Sequence, residues 1–436
     1  MIPGTSVPDA IATGTTDPGP TDTPPRPSAI GGYEDWPSYL RSHPRHVADT
    51  PAGQELADAL GVPAAPASFG LALESGVLES GVLESAAPES VALEWEETHD
   101  GVTTSRVSWQ LGFGPRTRAW FLRPAGATGP LPGILALHCH AGIKSVGAER
   151  LVDPRVADAR PLDPRILDPR LQISALQQNL YGGRPFATWL ASRGFAVLAH
   201  DAFSWGSRRF DLDTPPWRTA AVVKGCKALW REAGVVPSEA DQYDAAAAAH
   251  EDTVAKAAGL LGTSFAGMVA HDDLAALRVL SGLPGVDAAR LGTVGFSGGG
   301  GRSLMLAALS PLVRSFVVTC MMTTYRSLFP SYLDAHSWLL QTPGLSRLGD
   351  YPELAARSTA DRFLVQYALA DELFPEEGMR DADALLSAQN ASGRYTGSFR
   401  PGGHAFTTDM QEEAAGFLLE SLSPARQVFA RQNGTS

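Results

Sequence analysis

The sequence predicts an α/β fold of the doubly wound kind, a mostly parallel central sheet flanked by helices. Three observations carry this prediction. Short apolar runs, GILALH at 133–138, FAVLAH at 195–200 and LGTVGF at 291–296, read as strands buried on both faces. Helical patterns alternate with them, which is the rhythm of βαβ units. The chain has 436 residues, 44% of them hydrophobic and 19% charged, a composition that supports a large core.

Taken in order, residues 1–29 are rich in Pro, Thr, Gly and Asp, with too few large apolar groups to offset the entropy of ordering, and read as a flexible tail. Residues 30–93 read as a helical N-terminal extension. Within it, Thr50 is placed as an N-cap with Pro51 at the first helical position. Two low-complexity stretches interrupt the chain: SGVLESGVLES at 75–85, and an insert over 150–171 containing repeated Asp-Pro-Arg. Proline in each unit bars a continuous helix or central strand, so the insert reads as an exposed loop, either a surface expansion or a lid.

The main domain is expected over 94–425, followed by a C-terminal tail at 426–436. TTSRVSWQLG and RTRAWFLRP form an antiparallel pair, and PFATWLASRG is a helix ended by Gly194. The segment 211–265 exceeds a minimal crossover and suggests either a helical cap or surface helices, or a dimer contact. AGMVAHDDLAALRVLSGLPGV at 266–286 is expected to be an amphipathic helix with Met268, His271, Leu274, Leu277 and Arg278 near one face. SFVVTCM, RFLVQYALA and RYTGSFRP supply the last strands.

Lysine plus arginine number 35 against 47 acids, a formal charge of −12, so nucleic acid and acidic membranes would meet net repulsion. No run reaches the roughly 18–20 apolar residues of a membrane span. The cysteines at 139, 226 and 320 are odd in number and far apart, which argues against a disulfide framework or a CxxC-type zinc site. With no basic and apolar leader at the start, the expectation is a cytoplasmic protein.

The chemistry concentrates in GFSGGGGRSLMLAAL at 295–309, where Gly295-Phe296-Ser297-Gly298-Gly299 forms a G-x-S-x-G elbow between a strand and a helix. Such a turn projects the serine from the sheet edge, and the Gly298 amide at the helix start can stabilise an oxyanion. Downstream, Asp371 in ALADELFP and His404 in RPGGHAF each follow a strand. Serine, acid, histidine is the order in which such sheets carry a nucleophile, an orienting carboxylate and a general base. Glu372 competes with Asp371. His336 lies between serine and acid, so His404 is the one histidine in the right place.

A second oxyanion donor is expected from the loop LHCHAGIKS at 137–145, with the His140 amide preferred over that of Ala141. The pair His138 and His140 also raises a metal site, for which no nearby acidic cluster or HExxH completes a ligand set. Trp205, Trp217, Trp230 and Phe296 are candidates for apolar or sugar-stacking contacts, with core packing as the alternative.

Together LHCHAG, DAFSWGSRR at 201–209, GFSGGG, ALADELFP and RPGGHAF resemble the α/β-hydrolase superfamily, in particular its dienelactone-hydrolase-like and acetyl-xylan-esterase-like branch. The resemblance covers about residues 94–425. It implies Ser297 as nucleophile, Asp371 as acid, His404 as base, Gly298 and the His140 region as oxyanion hole, and Asp201 and Arg208 either bracing the site or touching a polar substrate. The sequence departs from that pattern at Cys139, where glycine is usual, and in the long glycine run 298–301.

The expected activity is hydrolysis of a short acyl ester through an acyl-enzyme, with no cofactor and a small-molecule substrate. Lactone, thioester or amide hydrolysis and acyl transfer share the same triad, and a catalytically silent ligand-binding protein of this fold is the reading from another class.

Overall fold

The computed structural model describes residues 26–72, 90–157, 169–390 and 392–424. The repeat at 75–85, residues 1–25 of the tail, the C-terminal stretch from 425 and positions 158–168 of the insert lie outside the described residues. Ten strands form one sheet: β1 Gly70–Ala72, β2 Ser90–His99, β3 Val102–Trp109, β4 Thr117–Pro124, β5 Leu131–Leu137, β6 Ala196–His200, β7 Val286–Phe296, β8 Val313–Thr319, β9 Arg362–Ala368 and β10 Tyr395–Arg400. Their spatial order is β1-β2-β3-β4-β6-β5-β7-β8-β9-β10. The joints from β2 through β3 and β4 to β6 are antiparallel. From β6 through β5, β7, β8 and β9 to β10 every joint is parallel. An antiparallel start feeding a parallel sheet, with β5 and β6 exchanged in order and an elbow after β7, is the α/β-hydrolase architecture.

The apolar runs are central strands because both faces are covered. Ile134 to Leu137 of β5 and all of β6 are buried, with helices on either side. The helix Phe186–Ser192 ends as expected, Gly194 lying at φ +98°. Thr50 caps the helix Pro51–Leu60, its hydroxyl accepting from the Gly53 amide at 3.0 Å.

The region 30–93 is not wholly helical. It holds the helices Trp36–Ser42 and Pro51–Leu60, but β1 and the start of β2 lie within it and extend the sheet edge. It also changes the environment of the helix Phe265–Gly282. The sequence pattern predicts one apolar face there, whereas the helix is buried on nearly every side, Asp272 and Asp273 included. The extension covers the face that would otherwise meet water. The Tyr39 hydroxyl lies 3.0 Å from His271 Nε2, and the Leu60 carbonyl sits so close to Gly267 that a Cβ there would be 2.2 Å from it.

Within 211–265, the helix Trp217–Glu232 stands outward with Thr219 its one buried residue, and it packs on the longer helix Glu239–Leu260. Cys226 is half-buried on that outer helix, Cys139 and Cys320 are buried, and all three are free. Among the described residues no single helix is long and apolar enough to cross a membrane.

Candidate active site

At the carboxyl end of β7 the chain enters the helix Gly298–Leu309 through Ser297, whose backbone lies at φ +55°, ψ −128°. A non-glycine residue held there carries about 1–3 kcal/mol of strain, which the surroundings must impose. They do. The Ser297 amide donates to the Thr319 carbonyl at 2.8 Å, and its carbonyl accepts from the Gly300 amide at 2.7 Å. A Cβ at Gly295 would lie 2.1 Å from the Gly299 carbonyl oxygen, and one at Gly299 would lie 2.1 Å from that of Leu137. The glycine run is therefore a packing device rather than a flexible start. Gly300 abuts Met321 and Gly301 abuts the Tyr351 hydroxyl, so backbone and neighbours meet without side chains between them.

The three groups expected to converge do so. His404 Nε2 is 2.9 Å from Ser297 Oγ, and His404 Nδ1 is 2.6 Å from Asp371 Oδ2. The Asp371 side chain is 1% exposed, and its other oxygen accepts from the Leu373 amide at 2.9 Å. Glu372 is exposed, so of the two adjacent acids it is Asp371 that meets the imidazole. His404 also packs on Phe296, with ring centroids 4.8 Å apart.

The loop after β5 passes over the start of the glycine helix. A methyl at Gly298 would lie 3.2 Å from the His140 amide nitrogen, so the two amides preferred from sequence are neighbours. Cys139 has no positive φ; the turn is made at Ala141 and Gly142, with φ +54° and +68°. The departure from glycine at 139 thus costs the loop nothing in backbone conformation. Arg150, fully buried, organises the same loop from inside. Its guanidinium donates to the carbonyls of Cys139 at 3.0 Å, Gly147 at 3.0 Å, Ile143 at 2.9 Å and also Val146.

These residues face a cleft of about 540 Å³ lined by Ser297, Gly298, His404, His140, Leu339 and Phe374 among others. His336 is on its wall, Nε2 3.0 Å from the Leu373 carbonyl, and burial lowers its pKa from the ordinary histidine value. The aromatic candidates Trp205, Trp217, Trp230 and Phe296 are not in the lining. Trp205 packs beneath the His140 ring, Phe296 is core, and Trp217 is 72% exposed on the outer helix. Asp201 and Arg208 brace the frame. Asp201 accepts from the Ala148 and Ser207 amides, both at 2.8 Å, and Arg208 binds Asp272 at 3.1 Å and the Phe113 carbonyl at 3.0 Å.

The paired histidines diverge. His138 is buried, its pKa held well below the ordinary value first by desolvation and then by Arg302 and Arg150. His140 turns instead toward Glu251, and among the described residues no group of three or more His, Cys, Asp or Glu is placed to hold a metal ion.

Sequence reasoning missed Glu251, Lys144 and Arg150. For Glu251 a signal existed: it shares the buried stripe of its helix with Ala247, Val254 and Ala258, and an acid on such a stripe needs partners. It has them in His140 at 2.9 Å and Lys144 at 2.5 Å. Burial alone would raise its pKa, but Lys144 and His140 hold it well below the carboxylate range.

No family profile matches the chain. It is 24% identical over 309 residues to "Putative hydrolase YtaP" of Bacillus subtilis (strain 168), an alignment covering 70% of this chain and 83% of that protein. Among solved structures it is similar to acetyl xylan esterase 1 from Thermoanaerobacterium sp., with 18% identity, a TM-score of 0.46, and coverage of 88% of this chain and 98% of that one. It is likewise similar to a glucuronoyl esterase from Solibacter usitatus, with 14% identity, a TM-score of 0.49, and coverage of 79% and 88%. By its own strand order and elbow, the chain has the α/β-hydrolase fold.

Proposed function

We propose that the protein is a serine hydrolase of carboxylic esters with a short acyl group. The observation that carries this reading is the continuous relay from Ser297 Oγ through both nitrogens of His404 to Asp371, on an elbow strained to present the hydroxyl. His404 Nε2 takes the serine proton as Oγ attacks the ester carbonyl. Asp371 accepts the Nδ1 proton's hydrogen bond, fixing the tautomer and favouring the imidazolium. The tetrahedral oxyanion is met by the Gly298 amide, which has no acceptor inside its helix, and by the His140 amide. Collapse expels the alcohol, which leaves with the proton from His404. Water, activated by the same imidazole, then attacks the acyl-enzyme and releases the acid and Ser297.

The cleft's walls at Leu339, Leu340, Met321 and Phe374 suit a neutral, small acyl group. No step requires a cofactor. The relative named as a hydrolase agrees with the reading. Ser297→Ala is expected to abolish turnover of p-nitrophenyl acetate and labelling by a fluorophosphonate while the thermal midpoint stays near that of the parent. Undiminished turnover in a folded Ser297→Ala variant would sink the assignment, and a folded parent that does not label would favour a silent binding protein.

A further inference from the structure

The helix Glu239–Leu260 contributes one carboxylate to the cleft, and that carboxylate is fully engaged. Glu251 Oε2 accepts from His140 Nε2 at 2.9 Å and from Lys144 Nζ at 2.5 Å. Oε1 accepts from the Ser337 hydroxyl at 2.6 Å and the Trp338 amide at 3.1 Å. Two donors come from the loop after β5 and two from the loop at 333–340, so one side chain ties together segments almost 200 residues apart in sequence. Both segments converge on Gly298. A methyl there would be 3.1 Å from His140 Cβ and 3.1 Å from Leu339 Cδ2.

The orientation of His140 follows from the same contacts. Its Nδ1 accepts from the Gly142 amide at 3.0 Å, so the ring proton is on Nε2 and is donated to Glu251. The ring cannot turn without losing both bonds. Lys144 is equally fixed, buried between the Trp205 and Phe265 rings at 4.8 Å each and bonded to Ser204 Oγ at 3.1 Å. Its desolvation is relieved by Glu251, the neighbouring charge with which it forms an ion pair.

We propose that Glu251 is a positioning residue for the reaction: by clamping the His140 ring, Lys144 and the 337–338 backbone, it holds the His140 amide at the oxyanion position and seats Leu339 over Gly298. This rests on the ester-hydrolase reading. A donor held at the wrong distance is felt most where charge develops, so the effect belongs to the transition state and falls on kcat.

The test compares the parent, Glu251→Gln, and Lys144→Met/Glu251→Gln, the double variant removing the lysine charge that the single one leaves unbalanced. Each is measured for thermal midpoint, kcat and KM with p-nitrophenyl acetate, and affinity for a boronic acid, which forms a tetrahedral oxyanion mimic on Ser297. The expected result in a folded variant is a loss in kcat of about 10- to 100-fold with KM within about threefold. Boronate affinity should weaken by a factor matching the loss in kcat/KM. If the single variant is too unstable to assay, the double variant carries the same expectation. A folded variant with kcat and boronate affinity within twofold of the parent overturns the positioning role alone. A parent that neither turns over ester nor labels with fluorophosphonate overturns the hydrolase reading and this role with it.

Discussion

At Asp371 and Glu372 the chain offers two adjacent carboxylates, and the sequence favours the first from its place at the end of a strand. The structure separates them by burial: Asp371 bonds the imidazole and Glu372 faces solvent. The role assigned to Asp371 predicts that Asp371→Asn lowers kcat on p-nitrophenyl acetate by about 10⁴-fold, because an amide nitrogen facing His404 Nδ1 favours the wrong tautomer. Steady-state kinetics on the folded variant check it, and Glu372→Gln should fall within about twofold of the parent. The meeting of Ser297, Asp371 and His404 was legible because the turn that presents the serine is written in small residues at fixed offsets and the other two follow it in order along the chain. Glu251 was not, because its partners His140, Lys144 and Ser337 come from distant segments. Arg150 was not, because its partners, although near in sequence, are backbone carbonyls of an irregular loop, which no residue type announces. The aromatic residues stayed open between substrate contact and core packing for a related reason, since nothing local distinguishes a ring under the site, such as Trp205, from one facing it.

Among the elements, the glycine helix depends on a buried ion pair made by the first side chain after its four glycines. Arg302 donates to Asp273 at 2.6 Å through Nη2 and to the His138 carbonyl at 3.1 Å through Nη1, joining the helix Gly298–Leu309 to the helix Phe265–Gly282 and to the end of β5. His200, at the end of β6, meets the same carboxylate at 3.0 Å. Asp273→Asn leaves a buried guanidinium without its counter-charge, and a loss of about 3–5 kcal/mol in unfolding free energy is expected from urea titration. A loss under 1 kcal/mol would show that the pair holds little. The strands were readable from their apolar runs and the antiparallel β3–β4 pair from its spacing. The helix Phe265–Gly282 was misread as one-sided because the element covering its second face, the N-terminal extension, lies far upstream. Periodicity reports where an element wants a partner, and here two partners arrived from opposite sides.

Across the whole molecule, burial of titratable groups sets an acid limit in two stages. His46, His138, His250 and His336 all have pKa values lowered, in each case first by desolvation. The unfolded chain therefore takes up protons near pH 6.5 while the fold resists them, so stability is full above that pH and falls as pH drops below it. Asp272 and Asp273 are held below the usual carboxylate range, burial being outweighed by Arg208 and Arg302 respectively. Their contribution is complete above about pH 4 and is lost in more acid solution. Urea midpoints between pH 8 and 3 should show a first decline beginning near 6.5 and a steeper one below about 4; a flat profile from 8 to 4 would count against the buried histidines.

The outward helix Trp217–Glu232 has a practical corollary. Of the three thiols, Cys139 and Cys320 are enclosed, and burial pushes the Cys320 thiol up, away from the reactive thiolate. Cys226 alone meets solvent, on a helix that contributes no residue to the cleft. The unaltered polypeptide thus offers a single handle for a maleimide dye, and a fluorophore fixed there would report on movement of the outer helix pair without any engineered attachment point.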